Sequence, residues 1–346
     1  MPGIPSGEPG SADTSGRKEL ITQASQYRVR RATPQDRERW SVVYAEYNKH
    51  YGVPVTDEHQ AMVWSWMMDP DHSSECWVAV DQDDVIQAVA HIRPFTRPLA
   101  GSVGGFLDDL VVYPDARRSG AVDAMLWALA QIAADRGWTV VRWITADDNH
   151  RARMVYDRYA TRTMWITYDM APTMDGPIRP GFEGKVAELT IRPPRAEDFE
   201  RWKHLYAQFA VHYTVPVDEE HQNLVWSWLM DDAHPLECLL AVDEDGVAQG
   251  LAHFRPFARP LLGSTGCFLD DLLVDKQARR SGAADALLIA LRKEATMRNW
   301  VVVRWITADD NYPAKKVYDA YGTRTMWVTY DMAPKAMPVE LEGVLT

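Results

Sequence analysis

The chain has little of what would tie it to an oxidising compartment, a bilayer or a nucleic acid. Its three cysteines, Cys76, Cys238 and Cys267, are too few for a disulfide framework, and a reduced, cytoplasmic setting is expected. No apolar run is long enough to cross a membrane. The opening MPGIPSGEPGSADTSGRKEL has no apolar core of a secretory signal. Cationic residues are the minority, 37 Lys and Arg against 49 Asp and Glu, for a net charge of −12. A surface that grips nucleic acid carries a basic stripe, and none is visible. No His, Cys and Asp cluster has metal-ligand spacing, and no Ser or Cys nucleophile constellation stands out. Metal, nucleic-acid and membrane partners are therefore not expected. The acidity keeps the chain soluble and weakly favours a cationic small molecule as substrate.

What is abundant is repetition. Val29 to Pro172 lies over Ile191 to Pro334 without a gap, and more than half of the paired positions are identical. The period is too long for a solenoid unit, so each copy reads as a domain with its own core. The expected organisation is a disordered segment over 1–26, a domain over 27–172, a Gly- and Pro-bearing linker over 173–189, a second domain over 190–334 and a tail over 335–346.

Each copy reads as α/β layered, in the order βααβββαβαβ. YRVRRATPQD is a strand followed by a helix start, with Thr33 as N-cap and Pro34 in the first turn. RERWSVVYAEYNKH and DEHQAMVWSWMMD are helices. CWVAVD, IQAVAHIRPF and GGFLDDLVV have strand composition. Ala121, Val122, Met125, Leu126, Leu129, Ile132 and Ala133 fall at helical spacing. TVVRWIT is a strand, HRARMVYDRYA a helix and TMWITYDMA a closing strand.

The most informative stretch is FLDDLVVYPDARRSGAVDAML, repeated as FLDDLLVDKQARRSGAADALL. A strand runs through a short loop into a helix. Gly120 and Gly282 allow a tight turn, and the first helical turn leaves N–H groups without intrahelical partners. Those donors, the helix dipole and the adjacent arginines suit a phosphate or diphosphate.

On these residues the sequence resembles the GNAT acyl-CoA N-acetyltransferase superfamily. The family's loop pattern (Arg or Gln, two free positions, Gly, one free position, Gly or Ala) is met in full by Arg279, Gly282 and Ala284. The first copy has Arg117 and Gly120 but Val122 in the last place. LDDLVV and LDDLLV resemble the cofactor strand, and DDNHRARMVYDRYATRT and DDNYPAKKVYDAYGTRT the Asn-x-x-Ala-x-x-x-Tyr segment. The resemblance implies two tandem GNAT-like domains, each a mixed, mostly antiparallel sheet flanked by helices. It implies acetyl-CoA as acyl donor and an amine of a small metabolite or antibiotic-like molecule as acceptor.

Carried over by position, the coenzyme would lie along Leu110 and Val112 and on Arg117, Arg118, Ser119, Gly120 and Ala121, with Asn149 near its pantetheine arm. The second set is Leu272, Val274, Arg279, Arg280, Ser281, Gly282, Ala283 and Asn311. Tyr156 and Tyr318 take the family's tyrosine position and are expected to protonate the departing thiolate; packing on a helical face is the alternative. Asp108 and Asp270 are the expected bases. Neighbours on a strand face opposite sides, so Asp108 and Asp109 share a pocket only if a bulge intervenes. A carboxylate that merely pairs with Arg93 or Arg142 fits equally. His50, Tyr51, His59, Trp64 and their partners His212, Tyr213, His221 and Trp226 fall where the family holds its acceptor. Trp64 reads as core and the histidines as surface.

Two further readings stay open. One half can serve as scaffold or acyl-CoA sensor, with the first copy the suspect because of Val122. An aminoacyl-tRNA-dependent transferase also fits a doubled GNAT-like chain, but the net charge of −12 opposes it. The excess of Arg over Lys points to a GC-rich bacterial genome. A tandem chain can act as a monomer or form a homodimer.

Overall fold

Alternation of small and β-branched residues drives two long hairpins that organise the whole molecule. In a computed structural model, which describes residues 14–54 and 56–346, the first half contains helix α1 (Thr14–Ala24), strand β1 (Arg28–Arg31), helices α2 (Arg37–His50) and α3 (Asp57–Met68), and strands β2 (Glu75–Val80), β3 (Ile86–Arg97) and β4 (Ser102–Val112). Helix α4 (Ala121–Asp135), β5 (Val141–Ala146), α5 (His150–Tyr156), β6 (Thr161–Arg162) and β7 (Trp165–Met170) follow. A short helix α6 (Glu183–Ala187) leads into the second half: β8 (Thr190–Arg192), α7 (Phe199–Tyr213), α8 (Glu219–Leu229), β9 (Glu237–Val242), β10 (Ala248–Arg259), β11 (Ser264–Val274), α9 (Ala283–Met297), β12 (Val303–Ala308), α10 (Tyr312–Tyr318), β13 (Thr323–Arg324) and β14 (Trp327–Met332).

The expected element order holds in each half, and the architecture is two α/β units with mixed seven-stranded sheets. The closing strand, however, does not close its own half. The sheets run β1-β2-β3-β4-β5-β14-β6 and β13-β7-β12-β11-β10-β9-β8. Strand β7 crosses to pair with β12, Trp305 opposite Tyr168, and β14 crosses back to pair with β5, Trp143 opposite Tyr330. The exchange is anchored by bidentate pairs: Arg142 donates to Asp331 at 2.6 and 2.7 Å, and Arg304 to Asp169 at 2.7 Å twice. Tyr330 stacks on Trp143 in the first core, and Tyr168 on Trp305 in the second.

Three segments expected to be loose are packed. The stretch read as disordered to about Gln26 holds α1 over Thr14–Ala24, with Ala24 fully buried; residues 1–13 lie outside the described residues. The linker supplies α6 and Arg179, which makes a two-pronged pair with Asp285 at 2.9 Å. The tail buries Leu341 and Val344 and runs beside β1, where the Val29 amide donates to the Val344 carbonyl.

Interchange of two strands makes each sheet depend on the other repeat. Cleaving the chain within 173–189 should therefore leave one particle in size-exclusion chromatography, the halves separating only in denaturant. Two half-size species in native buffer would contradict the exchange.

Candidate active site

Strands β4 and β5 start as parallel neighbours and then part. They pair only at Gly105 with Val141 and Phe106 with Arg142. Gly105 is needed because the Trp138 ring packs against it, 2.5 Å from where a Cβ would stand. Beyond Phe106 the strands diverge, leaving one edge of β4 without a ladder partner. The gap opens into a cleft of about 520 Å³ between Leu107–Val112, Trp143–Thr145, α2, α5 and the loop before α4.

The cleft gathers most of the residues expected for the first half. Asp108, Leu110, Val112, Arg117, Arg118, Asn149 and Tyr156 all line it, with His50 and Tyr51 at the helical wall. Ser119, Gly120 and Ala121 form the turn into α4. Arg118 is held in the left-handed region at φ 68°, and Arg280 repeats the value. Such a conformation is costly for a side chain with a Cβ and concentrates at functional turns. Gly120, at φ 96°, also has α1 packed on it; a Cβ would lie 2.5 Å from the Gln23 carbonyl carbon. Tyr27 fastens the same turn by donating to Ser119 Oγ at 2.5 Å, and that hydroxyl donates to Ala116 O. Arg117 and Arg118 are exposed. Among the described residues, helix-start N–H groups without intrahelical partners, two exposed arginines and a strand edge without a ladder partner form a site with the chemistry to take a diphosphate and an amide-bearing chain.

The two aspartates are separated by a bulge. His91 opposes Asp109, but Ile92 opposes Leu107, so Asp108 is the extra residue. Even so, only Asp108 reaches the cleft. Asp109 turns to the other face, accepting from His91 Nδ1 at 2.8 Å and from the Tyr44 hydroxyl at 3.1 Å, while Trp40 Nε1 donates to His91 Nε2. This buried chain recurs with Trp202, His253 and Asp271.

Asp108 is buried beside Arg93, Nε to Oδ2 3.0 Å, and Asp270 beside Arg255 at the same distance. The arginines lie across the junction of the halves: Arg93 stacks on Phe106 and Phe257, and Arg255 on Phe268 and Phe95. Burial pushes the Asp108 carboxyl up to about 7 against the pull of Arg93, with Asp109 adding to the rise; Asp270 is likewise pushed up to about 7. Pairing with Arg93 and a place on the cleft therefore coexist. Arg142 is committed to Asp331.

Tyr156 is 9% exposed, packed on Trp143 and on Tyr330 of the exchanged strand. Burial raises its phenol far above the ordinary value, as it does for Tyr318. Such a hydroxyl keeps its proton at neutral pH, so it enters a reaction as a donor rather than as a base. Asn149 caps α5, accepting from Ala152 N at 3.3 Å and donating to Thr145 Oγ1, and Asn311 repeats this with Ala314 and Thr307. Trp64 is core. His59 and His221 each contact the opposite half, at the carbonyls of Pro260 and Pro98.

Glu46 and Tyr47 also line the cleft, and sequence reading passed over them. The signal was available: Tyr44 and Tyr47 on α2 and Tyr51 at its C-cap recur at helical spacing. Leu20 and Gln23 of α1 close the cleft at the arginine end. In the second half, Arg279, Arg280 and Ser281 line a cavity of about 700 Å³ with Lys185, Asp243 and Gln249. Asp270, Leu272, Asn311 and Tyr318 are not part of it. Gly282 and Ala283 begin α9, with Ser281 Oγ accepting from Ala283 N.

The splayed strand, the turn and the capped helix recur in known proteins. Residues 40–160 and 200–322 each match the model of the acetyltransferase (GNAT) family. The chain belongs to the GNAT acetyltransferase family. A D-amino-acid N-acetyltransferase of Saccharomyces cerevisiae is 25% identical over 144 residues, 40% of this chain and 88% of the yeast protein. Among solved structures, a GCN5-related N-acetyltransferase from Sphaerobacter thermophilus aligns with a TM-score of 0.55 at 16% identity, covering 91% of this chain and 98% of that one. A tandem GNAT protein from the clavulanic acid biosynthesis pathway aligns with a TM-score of 0.53 at 14% identity, covering 89% and 99%. At those identities the two structures speak for the GNAT fold alone.

The two aspartates of the first GNAT half should be separable by experiment. Asp109→Ala leaves the His91 N–H and the Tyr44 hydroxyl buried and unpaired. It should cost about 2–4 kcal/mol in urea unfolding. Equal loss from Asp109→Ala and an exposed control such as Asp83→Ala would contradict the buried network.

Proposed function

We propose that this GNAT protein moves an acetyl group from acetyl-CoA to the amine of a small molecule. The observation that carries the reading is the parting of β4 from β5 beyond Phe106, beside a turn whose arginines, Arg117 and Arg118, line the same cleft. The turn Arg117–Ala121 would hold the coenzyme's diphosphate, and the free edge at Leu110 and Val112 its pantetheine amides. Asn149, already bonded to Thr145 and the α5 backbone, presents its edge near that arm. Acetyl-CoA supplies an activated thioester carbonyl.

The residues on the cleft suit direct attack. The acceptor nitrogen forms the new C–N bond as the C–S bond breaks. Asp108 takes the ammonium proton, directly or through water, since an alkylamine holds it to a pKa near ~10. Tyr156, kept protonated by burial, gives its proton to the departing sulfur and is reprotonated by the second proton that the nitrogen sheds as the amide forms. Backbone N–H groups of β4 stabilise the charge that grows on the carbonyl oxygen. The yeast relative, a D-amino-acid N-acetyltransferase, supports testing amino acids beside polyamines and amino sugars as acceptors. Buried thiols at Cys76, Cys238 and Cys267 fit a reducing, cytoplasmic site of action. The duplicated chain supports a monomer or homodimer that works without nucleic acid, membrane or metal.

Release of free thiol from acetyl-CoA should be tested with a panel of polyamines, amino sugars and D- and L-amino acids. At least one amine should be acetylated. Tyr156→Phe should slow turnover by ~10²-fold or more without abolishing it, the usual worth of a general acid. No acetylation of any amine, or Tyr156→Phe at full rate, would contradict the reading.

The pH dependence follows from burial. Asp108 must be ionised to accept a proton, and its carboxyl is pushed up to about 7. Activity should therefore climb as pH rises toward 7 and level above it. Asp108→Asn should flatten that limb and lower the plateau ~10²-fold or more. A limb unchanged in the variant would remove Asp108 from the reaction.

A further inference from the structure

The two halves differ where their cleft helices meet the strand ends. In the second half, α7 is fastened to the end of β11. Arg201 donates to Asp275 at 2.7 Å, and Gln208 accepts from the Lys276 amide at 3.1 Å while its own amide donates to Asp275. His204 approaches the same carboxylate at 3.8 Å. The matching positions of the first half cannot make these bonds. Pro114 replaces Lys276 and has no N–H to offer. Tyr113 replaces Asp275, and its ring lies under Arg39 at 4.2 Å. Val42 replaces His204. Glu46 replaces Gln208, and with nothing to bind at the strand end its side chain lines the cleft.

The neighbouring position changes in the same direction. Tyr47 stands where the second half has Phe209. The Tyr51 hydroxyl lies within hydrogen-bonding reach of Tyr47, Thr145 and Asn149, a contact Phe209 cannot give Tyr213. The ladder differs as well. Strands β11 and β12 stay paired one residue further, through Leu269 and Trp305, so the second half parts later.

We propose that the halves divide the work: the first cleft takes the cationic acceptor through Glu46 and Tyr47, and the second is stapled shut to acceptor by Gln208, Arg201 and Asp275. This deepens the amine-transferase reading on which it rests. It also reverses the suspicion that Val122 cast on the first copy. Asp108 is engaged by Arg93 and serves as the base, so Glu46, half-buried and only loosely paired with the solvated Lys49 at 3.9 Å, is the cleft carboxylate available to hold the acceptor's charge. The diphosphate turn is kept in both halves, so the second can hold coenzyme without receiving an acceptor.

The test is calorimetric titration of 1,4-diaminobutane into the full chain saturated with coenzyme A. Three proteins are compared: wild type, Glu46→Gln/Tyr47→Phe, which carries the second half's residues, and the reciprocal Gln208→Glu/Phe209→Tyr. Wild type should bind one equivalent. The first variant should weaken binding at least tenfold with an unchanged urea midpoint, and the reciprocal variant should keep the original equivalent. Two equivalents in wild type, unaltered affinity in the first variant, or loss of the equivalent in the reciprocal one would overturn the division. So would absence of binding throughout. One equivalent bound without acetyl transfer would uphold this inference while removing the transferase reading.

Discussion

A parallel strand pair that stops pairing is the constraint on which the molecule depends. Backbone N–H and C=O groups inside a sheet are normally matched, and leaving a row of them open is costly unless something else takes them. Here β4 and β5 separate after Phe106, one residue past Gly105, on which Trp138 packs. The parting creates the cleft, exposes the strand edge and brings the turn before α4 opposite the cap of α5. The Asp108 bulge lies just past the point of divergence and aims one carboxylate into the gap while its neighbour anchors α2.

The second organising element is the traded closing strand. Each sheet takes in a strand from the other repeat, so Tyr156 packs on Tyr330 and Tyr318 on Tyr168. The buried Arg93–Asp108 and Arg255–Asp270 pairs sit back to back across the same junction, each arginine over an aromatic ring of the opposite half. A carboxyl that burial pushes up to about 7 is thereby held by contacts that no single half contains. Buried ion pairs contribute little net stability; their value here is position.

Much of this was legible in the residues. The duplication, the strand–turn–helix, the capping asparagines and the buried tyrosines all follow from local patterns that the tertiary structure respects. The strand exchange was not legible, because WITYDM and WVTYDM are nearly the same strand, and either fits beside β5 or β12. Nothing local selects between them. Helix α1 was missed because TSGRKELITQA has polar composition and gains its order by covering Gly120. The aspartate pair could be assigned only from tertiary partners, because His91 and Tyr44, which hold Asp109, come from other elements. The difference between the clefts hides in single exchanges, Pro114 for Lys276 above all, whose meaning is a backbone N–H that sequence alignment does not display.

The central claim is that the open edge of β4 and the start of α4 are where an acyl-coenzyme A lies. Amide hydrogen exchange of the full chain with and without coenzyme A tests it most directly. The account predicts slowed exchange at 109–112 and at 118–123, with α3, which contributes nothing to the cleft, unchanged. Equal exchange rates at those amides in saturating coenzyme would contradict it.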